Sequence, residues 1–306
     1  MPYIIPYKKP FFKKKYCLYQ QKVAHYQKMN KALAHIKIFY YDNYTMEGKT
    51  TISFANVSAN YENGHDVLSN VSFNISGGAF YFLTGASGAG KTTLLRLIYQ
   101  LHKPSQGQIK LFGQECDNLS RNDIAMLRHK MAIVFQEYSL ISHMTVFENV
   151  ALPLRVRGFP NDKIKKLVTK TLEWVGLGKY ANVYPLELSG GQQQRVSVAR
   201  AIIIQPAILL ADEPTGNLDD ENASRLMELF IQMNKVFGTT IILATHNQNL
   251  LEKYRFPIIM VENHHVAFSG INNDNDSELR KWKGPKPQSQ NYFAQLSKQF
   301  EDIGNT

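Results

Sequence analysis

Nine residues set the tightest limit on how this chain can fold. Gly85-Ala86-Ser87-Gly88-Ala89-Gly90-Lys91-Thr92-Thr93 fits the pattern G-x-x-x-x-G-K-[ST]. It follows Phe80-Tyr81-Phe82-Leu83-Thr84, which reads as a short buried strand, and leads into a helix over about Thr92 to Leu101. Strand, glycine turn and helix form the first half of a βα crossover, the unit that builds parallel sheets covered on both faces. Glycines let such a turn close with its N–H groups pointing inward, and the helix N-terminus behind it favours an anion. The whole segment Gly85 to Thr93 therefore suits a nucleotide's phosphates. Lys91 can bridge the β- and γ-phosphates of ATP, and Thr92 can offer its hydroxyl to Mg²⁺.

Further strands support an α/β fold. Thr51 to Phe54 and Val67 to Ile75 alternate as strands across the turn-rich Asn60 to Asp66. Ala207 to Ala211 and Thr239 to Ala244 are continuous apolar runs of the fully buried kind, separated by a helix with Leu226, Leu229, Phe230 and Met233 inward and Gly238 at its end. Asn161 and Asp162 are expected to cap another helix, with Ile164, Leu167, Val168, Leu172 and Val175 on one face and Gly176 at its stop.

Ligands of parallel sheets bind beyond the carboxyl ends of the strands, so residues there are read as site candidates. Asp212 and Glu213 follow Ile208-Leu209-Leu210-Ala211. Asp212 suits Mg²⁺, while Glu213 can polarise the water that attacks the γ-phosphorus. Alone, such a pair could equally cap a helix; the phosphate loop upstream decides between the readings. His246 after Thr239–Ala244 can donate to a γ-phosphate oxygen, and Gln136 after Ala132-Ile133-Val134-Phe135 can ligate Mg²⁺ through its carbonyl. Either residue alone would read as structural.

Leu188-Ser189-Gly190-Gly191-Gln192, followed by Gln193-Gln194-Arg195, joins these fragments. With it, residues from about 50 to 270 resemble an ABC ATPase domain. The resemblance implies a P-loop NTPase with a RecA-like core, an antiparallel β subdomain and a helical subdomain at about 120–186. It also implies that Ser189, Gly190, Gly191 and Gln192 cap the γ-phosphate held by a second copy, so that hydrolysis needs a homodimer. Tyr61 then resembles the aromatic that stacks on adenine, and Asp219 in Gly216-Asn217-Leu218-Asp219 resembles the D-loop aspartate. Gln136 and His246 resemble the Q-loop glutamine and the switch histidine, which with Glu213 make the catalytic set. Glutamine at 192, where some members carry glutamate, falls within the variation of the signature.

Ala211 to Asp220 resembles the group that holds the FtsE, lipoprotein-release and macrolide-efflux ATPases. Thr84–Thr93, Val134-Phe135-Gln136 and Thr145–Leu154 look most like the FtsE family. That likeness implies an integral membrane partner of FtsX type, a peripheral position on the cytoplasmic side of the membrane, and control of peptidoglycan hydrolysis in division. A lipoprotein-release or macrolide-efflux ATPase is the alternative. Leu140, Ile141, Met144 and Phe147 are expected either to line a groove for the partner's cytoplasmic helix or to form lobe core.

The chain of 306 residues carries a net +10, which raises a nucleic-acid reading. The charge is concentrated, however. Residues 1–45 hold nine lysines against Asp42 alone, a net of +8 that leaves +2 for the rest. That basic, aromatic stretch suits an anionic membrane surface, a disordered extension, or a segment upstream of a start at Met46. One cassette without a sustained heptad argues against a nucleic-acid ABC protein, and no specific nucleic-acid partner is expected. Residues 1–49 are thus read as an extension, 50–271 as the ATPase domain and 272–306 as a polar tail with one weak helix near Tyr292–Phe300. No apolar run approaches the roughly 20 residues of a membrane span, no secretory leader is evident, and Cys17 and Cys116 have no C-x-x-C partner.

Overall fold

A computed structural model describes residues 49–60 and 66–269. Tyr61, the basic extension with its Met46 start and the tail with its Tyr292–Phe300 helix lie outside the described residues. In chain order the strands are β1 (Thr50–Asn60), β2 (Asp66–Ser76), β3 (Phe80–Thr84), β4 (Gln106–Leu111), β5 (Gln114–Glu115), β6 (Met131–Val134), β7 (Ile208–Asp212), β8 (Thr240–Ala244), β9 (Ile258–Glu262) and β10 (His265–Ser269). The helices are α1 (Lys91–Ile98), α2 (Arg121–Arg128), α3 (Val146–Val156), α4 (Asn161–Trp174), α5 (Gly190–Ile202), α6 (Asp220–Phe237) and α7 (Gln248–Tyr254).

Two sheets result. Six strands run in the order β10-β9-β3-β8-β7-β6, parallel except for the edge strand β10. Four antiparallel strands form a second sheet, β2-β1-β4-β5. Period-two alternation divides the large sheet between two cores. Phe80, Phe82, Leu209, Ala211, Ile241 and Leu243 face one core, filled by α3, α4, α5 and α6. Tyr81, Leu83, Ile208, Leu210, Ile242 and Ala244 face the other, which α1 shares with the antiparallel sheet.

The strand β6 lies within the stretch 120–186 but pairs with β7 in the large sheet, so the helical layer after it begins at α3. Helix α4 departs from expectation at its start. Pro160 is the N-cap and makes no side-chain bond, and Asn161 and Asp162 fall in the first turn, where Asp162 complements the positive end of the helix. Gly176 and Gly238 end α4 and α6 at φ +72 and +65. Cys116 is buried, and burial pushes its thiol up to about 11, which makes it inert.

Candidate functional site

The phosphate loop is shaped by close backbone approach. A β-carbon on Gly85 would lie 2.3 Å from the carbonyl oxygen of Val261 in β9, so no larger residue fits without moving a strand. Gly90, at φ +109, is the left-handed N-cap of α1. This bend places Lys91 at the head of the helix, where its side chain is buried and its ammonium donates to the carbonyls of Gly85 (2.9 Å) and Ala86 (3.0 Å). Ala86, Ser87 and Gly88 are exposed on the loop, Ala89 is half-buried, and Thr93 turns into the core.

Thr92 Oγ1 donates to Asp212 Oδ2 at 2.8 Å, which joins the first turn of α1 to the end of β7. Burial raises the Asp212 carboxyl above its ordinary value; the Thr92 bond opposes the shift and the neighbouring Glu213 charge adds to it. Glu213 continues the backbone with its N–H donating to Ala244 O at 3.0 Å, but in the left-handed region at φ +48. Its Oε1 stands 3.1 Å from His246 Nδ1, which comes from the loop after β8. His246 is exposed and the Glu213 side chain is largely covered. A β-carbon on Gly216 would lie 3.8 Å from Glu213 Oε2 and 4.0 Å from Gln136 Nε2, so both side chains border the same small space. The ends of three adjacent strands, β6, β7 and β8, thus gather Gln136, Asp212, Glu213 and His246.

Beside the loop lies a cleft of about 650 Å³, bordered by Thr84, Gly85, His246, Met260, Glu262 and His264. Thr84 Oγ1 and Glu262 Oε2 are buried there with no hydrogen-bond partner among the described residues.

Ser189 and Gln192 form a reciprocal cap on α5. The Ser189 N–H donates to Gln192 Oε1 at 2.9 Å, and the Gln192 N–H donates to Ser189 Oγ at 3.4 Å. Glutamine at 192 serves this cap as glutamate would. Gly190 is exposed at the helix start and Gly191 is half-buried. Asp219 caps α6, accepting from the Asn222 N–H and Nδ2 at 2.8 Å each, and these bonds hold its carboxyl below the ordinary value. Among the described residues no hydrogen bond joins Ser189–Gln192 to Gly85–Thr93 of the same chain.

One element of this neighbourhood escaped the reading of the sequence. Tyr138 lies against the signature, with its hydroxyl 2.9 Å from where a Gly190 β-carbon would sit. Arg200 near the end of α5 donates to Ser139 O at 2.8 Å and Tyr138 O at 3.3 Å. Both contacts are tertiary, and no spacing announces them.

A family model described as ABC transporter matches residues 68–216. The cell division ATP-binding protein FtsE of Escherichia coli (strain K12) is 41% identical over 215 residues, covering 70% of this chain and 96% of that protein. The methionine import ATP-binding protein MetN of Carboxydothermus hydrogenoformans is 41% identical over 207 residues, 68% of this chain and 61% of MetN. Among solved structures, the dimeric post-hydrolysis state of the ATP-binding cassette MJ0796 bound to ADP and Pi superposes with a TM-score of 0.66 at 34% identity, covering 71% of this chain and 97% of that one. Sheet order, phosphate loop and relatives agree: the chain belongs to the ABC transporter family, as an ATP-hydrolysing, ATP-binding subunit.

Proposed function

We propose that this subunit binds ATP·Mg²⁺ on Gly85–Thr93, hydrolyses it as a head-to-tail homodimer, and works as an FtsE-type ATPase with an integral membrane partner of FtsX type. In this role it sits on the cytoplasmic face of the membrane and couples its ATP cycle to division and peptidoglycan hydrolase control. The supporting observation is coverage. FtsE of E. coli and of Streptococcus pneumoniae (strain D39) match over 96% and 94% of their own length, whereas the MetN match covers 61% of MetN. MetN's equal identity keeps a solute-import ATPase as the second reading.

The residues present fit the chemistry. Phosphate oxygens can take over the Lys91 ammonium from the carbonyls of Gly85 and Ala86. Thr92 and Asp212 offer only oxygen donors, which suits a hard cation such as Mg²⁺, and Gln136 can add its carbonyl. When bound, the ion neutralises charge on the β- and γ-oxygens. Asp212 and Glu213 are adjacent carboxylates in unlike surroundings, so they divide the work. Asp212 is tied to Thr92, while Glu213 is turned by its left-handed backbone toward the space it shares with Gln136 and His246. There Glu213 accepts a proton from the water that attacks the γ-phosphorus, and His246 holds that carboxylate and reaches the phosphate. Ser189, Gly190, Gly191 and Gln192 supply a helix N-terminus to the partner subunit's nucleotide. Asp219 stands at the neighbouring turn, and Tyr61 is assigned to the adenine.

Leu140, Ile141, Met144 and Phe147 are expected either to line the groove for the partner's helix or to form lobe core. Leu140 and Phe147 pack against the larger core. A hollow of about 330 Å³ bordered by Ile133, Leu152, Pro153 and Val156 together with Arg128 and Arg157 supports a second place for that helix. Purification of the full chain from its native membranes, followed by identification of the membrane protein retained, tests the assignment. An FtsX-like protein is expected; recovery of a solute permease instead would sink the division role.

A further inference from the structure

We propose that the cleft beside the phosphate loop is a second ligand site, which takes a small aliphatic amine in its protonated form. The site is independent of the division role and of the membrane partner.

The cleft of about 650 Å³ lies where β3 meets β9. Gln136, Asp212 and Glu213 lie at the ends of β6 and β7, separated from β9 by β3 and β8, and none of them borders it. Of the catalytic set, His246 alone reaches its border. Register fixes the wall. Thr84 pairs with Met260, so Thr84, Met260 and, two residues on, Glu262 present their side chains on one face of the sheet. Leu251 of α7 borders the same cleft.

Two polar atoms are set into this partly apolar wall. Thr84 Oγ1 and Glu262 Oε2 are both buried with no hydrogen-bond partner among the described residues, and Thr84 as a whole is only 7% exposed. Buried polar groups of native proteins are nearly always satisfied, so each of these atoms calls for a partner in the cleft. An ionised carboxylate only accepts and a hydroxyl accepts as well as donates, so one donor-rich group serves both. Charge selects that group. Asp66 and Glu262 border the cleft, and among the described residues no lysine or arginine does. An ammonium brings three donors and the opposite charge, whereas an anion seated there would face the Glu262 carboxylate. Met260 and Leu251 then cover an aliphatic stem.

Isothermal titration of the full, nucleotide-free chain with n-butylamine and with n-butanol tests the proposal. The amine is expected to bind at a single site and the alcohol not to bind. Glu262→Gln should weaken the amine about tenfold and Thr84→Val about threefold, while ADP affinity in each variant stays within about twofold of the parent, which shows that the fold and the phosphate loop survive. Saturation with Mg²⁺ and ADP should leave the amine in place. Equal affinity for amine and alcohol, or no binding of either, would overturn the proposal and leave the two polar atoms to water. Displacement of the amine by ADP would overturn it by returning the cleft to the nucleotide. Undiminished amine binding in both variants would place the amine elsewhere and end the proposal.

Discussion

Glu213 carries a β-carbon at φ +48, a conformation that costs a non-glycine residue on the order of 1 kcal/mol. The cost is tolerated because its N–H still bonds Ala244 while its side chain is turned out of the sheet toward His246. Glu213→Gln keeps that shape and removes only the base. It is expected to retain ATP binding, accumulate as a dimer in size-exclusion chromatography, and hydrolyse at least a hundredfold more slowly, the lower end of general-base effects. Wild-type turnover would refute the assignment. Asp212 supplies a pH-dependent counterpart. Its folded carboxyl is raised above the ordinary 3.8, so its charge destabilises the ligand-free fold at neutral pH and the cost vanishes on acidification below both values. Asp212→Asn can still accept from Thr92. Its melting temperature should exceed that of the parent at pH 7, and the gain should fade as pH drops through the raised value and be gone below about 3.8.

Helix α6 shows how local signals set an element and where they stop. Asp219 caps its start through Asn222, and Gly238 closes it in the left-handed region with nothing within 4 Å of a would-be β-carbon. Gly238→Ala therefore meets no clash, only backbone strain, and should lower unfolding free energy by about 1 kcal/mol in urea titrations without altering ATPase activity. Such features were legible in the chain because they are local: the glycine loop, the apolar runs of β7 and β8, Gly176 and Gly238. The gathering of Gln136, Asp212, Glu213 and His246 was legible for a topological reason, since parallel strands bring their carboxyl ends to one edge. Other features depend on partners distant in sequence. Tyr138 meets Gly190, and Arg200 meets Ser139, only after the helical layer has packed.

At the scale of the molecule, the phosphate loop and the signature are separate surfaces of one chain. If each completes the other's site in a second copy, damage to one surface per chain should complement. Ser189→Arg and Lys91→Ala are each expected to lack hydrolysis, Ser189→Arg while still binding ATP as a monomer. Mixed in equal amounts, they should recover activity that neither has, because one site of the mixed dimer is intact. An inactive mixture that still forms mixed dimers would argue against shared sites. The large sheet carries a different implication. Neighbouring residues of β3, β7 and β8 belong to opposite cores, Phe82 to one and Leu83 to the other. Losing a single residue within β3 would exchange the two sets and pull Gly85 off the Val261 carbonyl. Gains and losses of chain length are thus expected to be tolerated in the connections between elements and not within β3, β7 or β8.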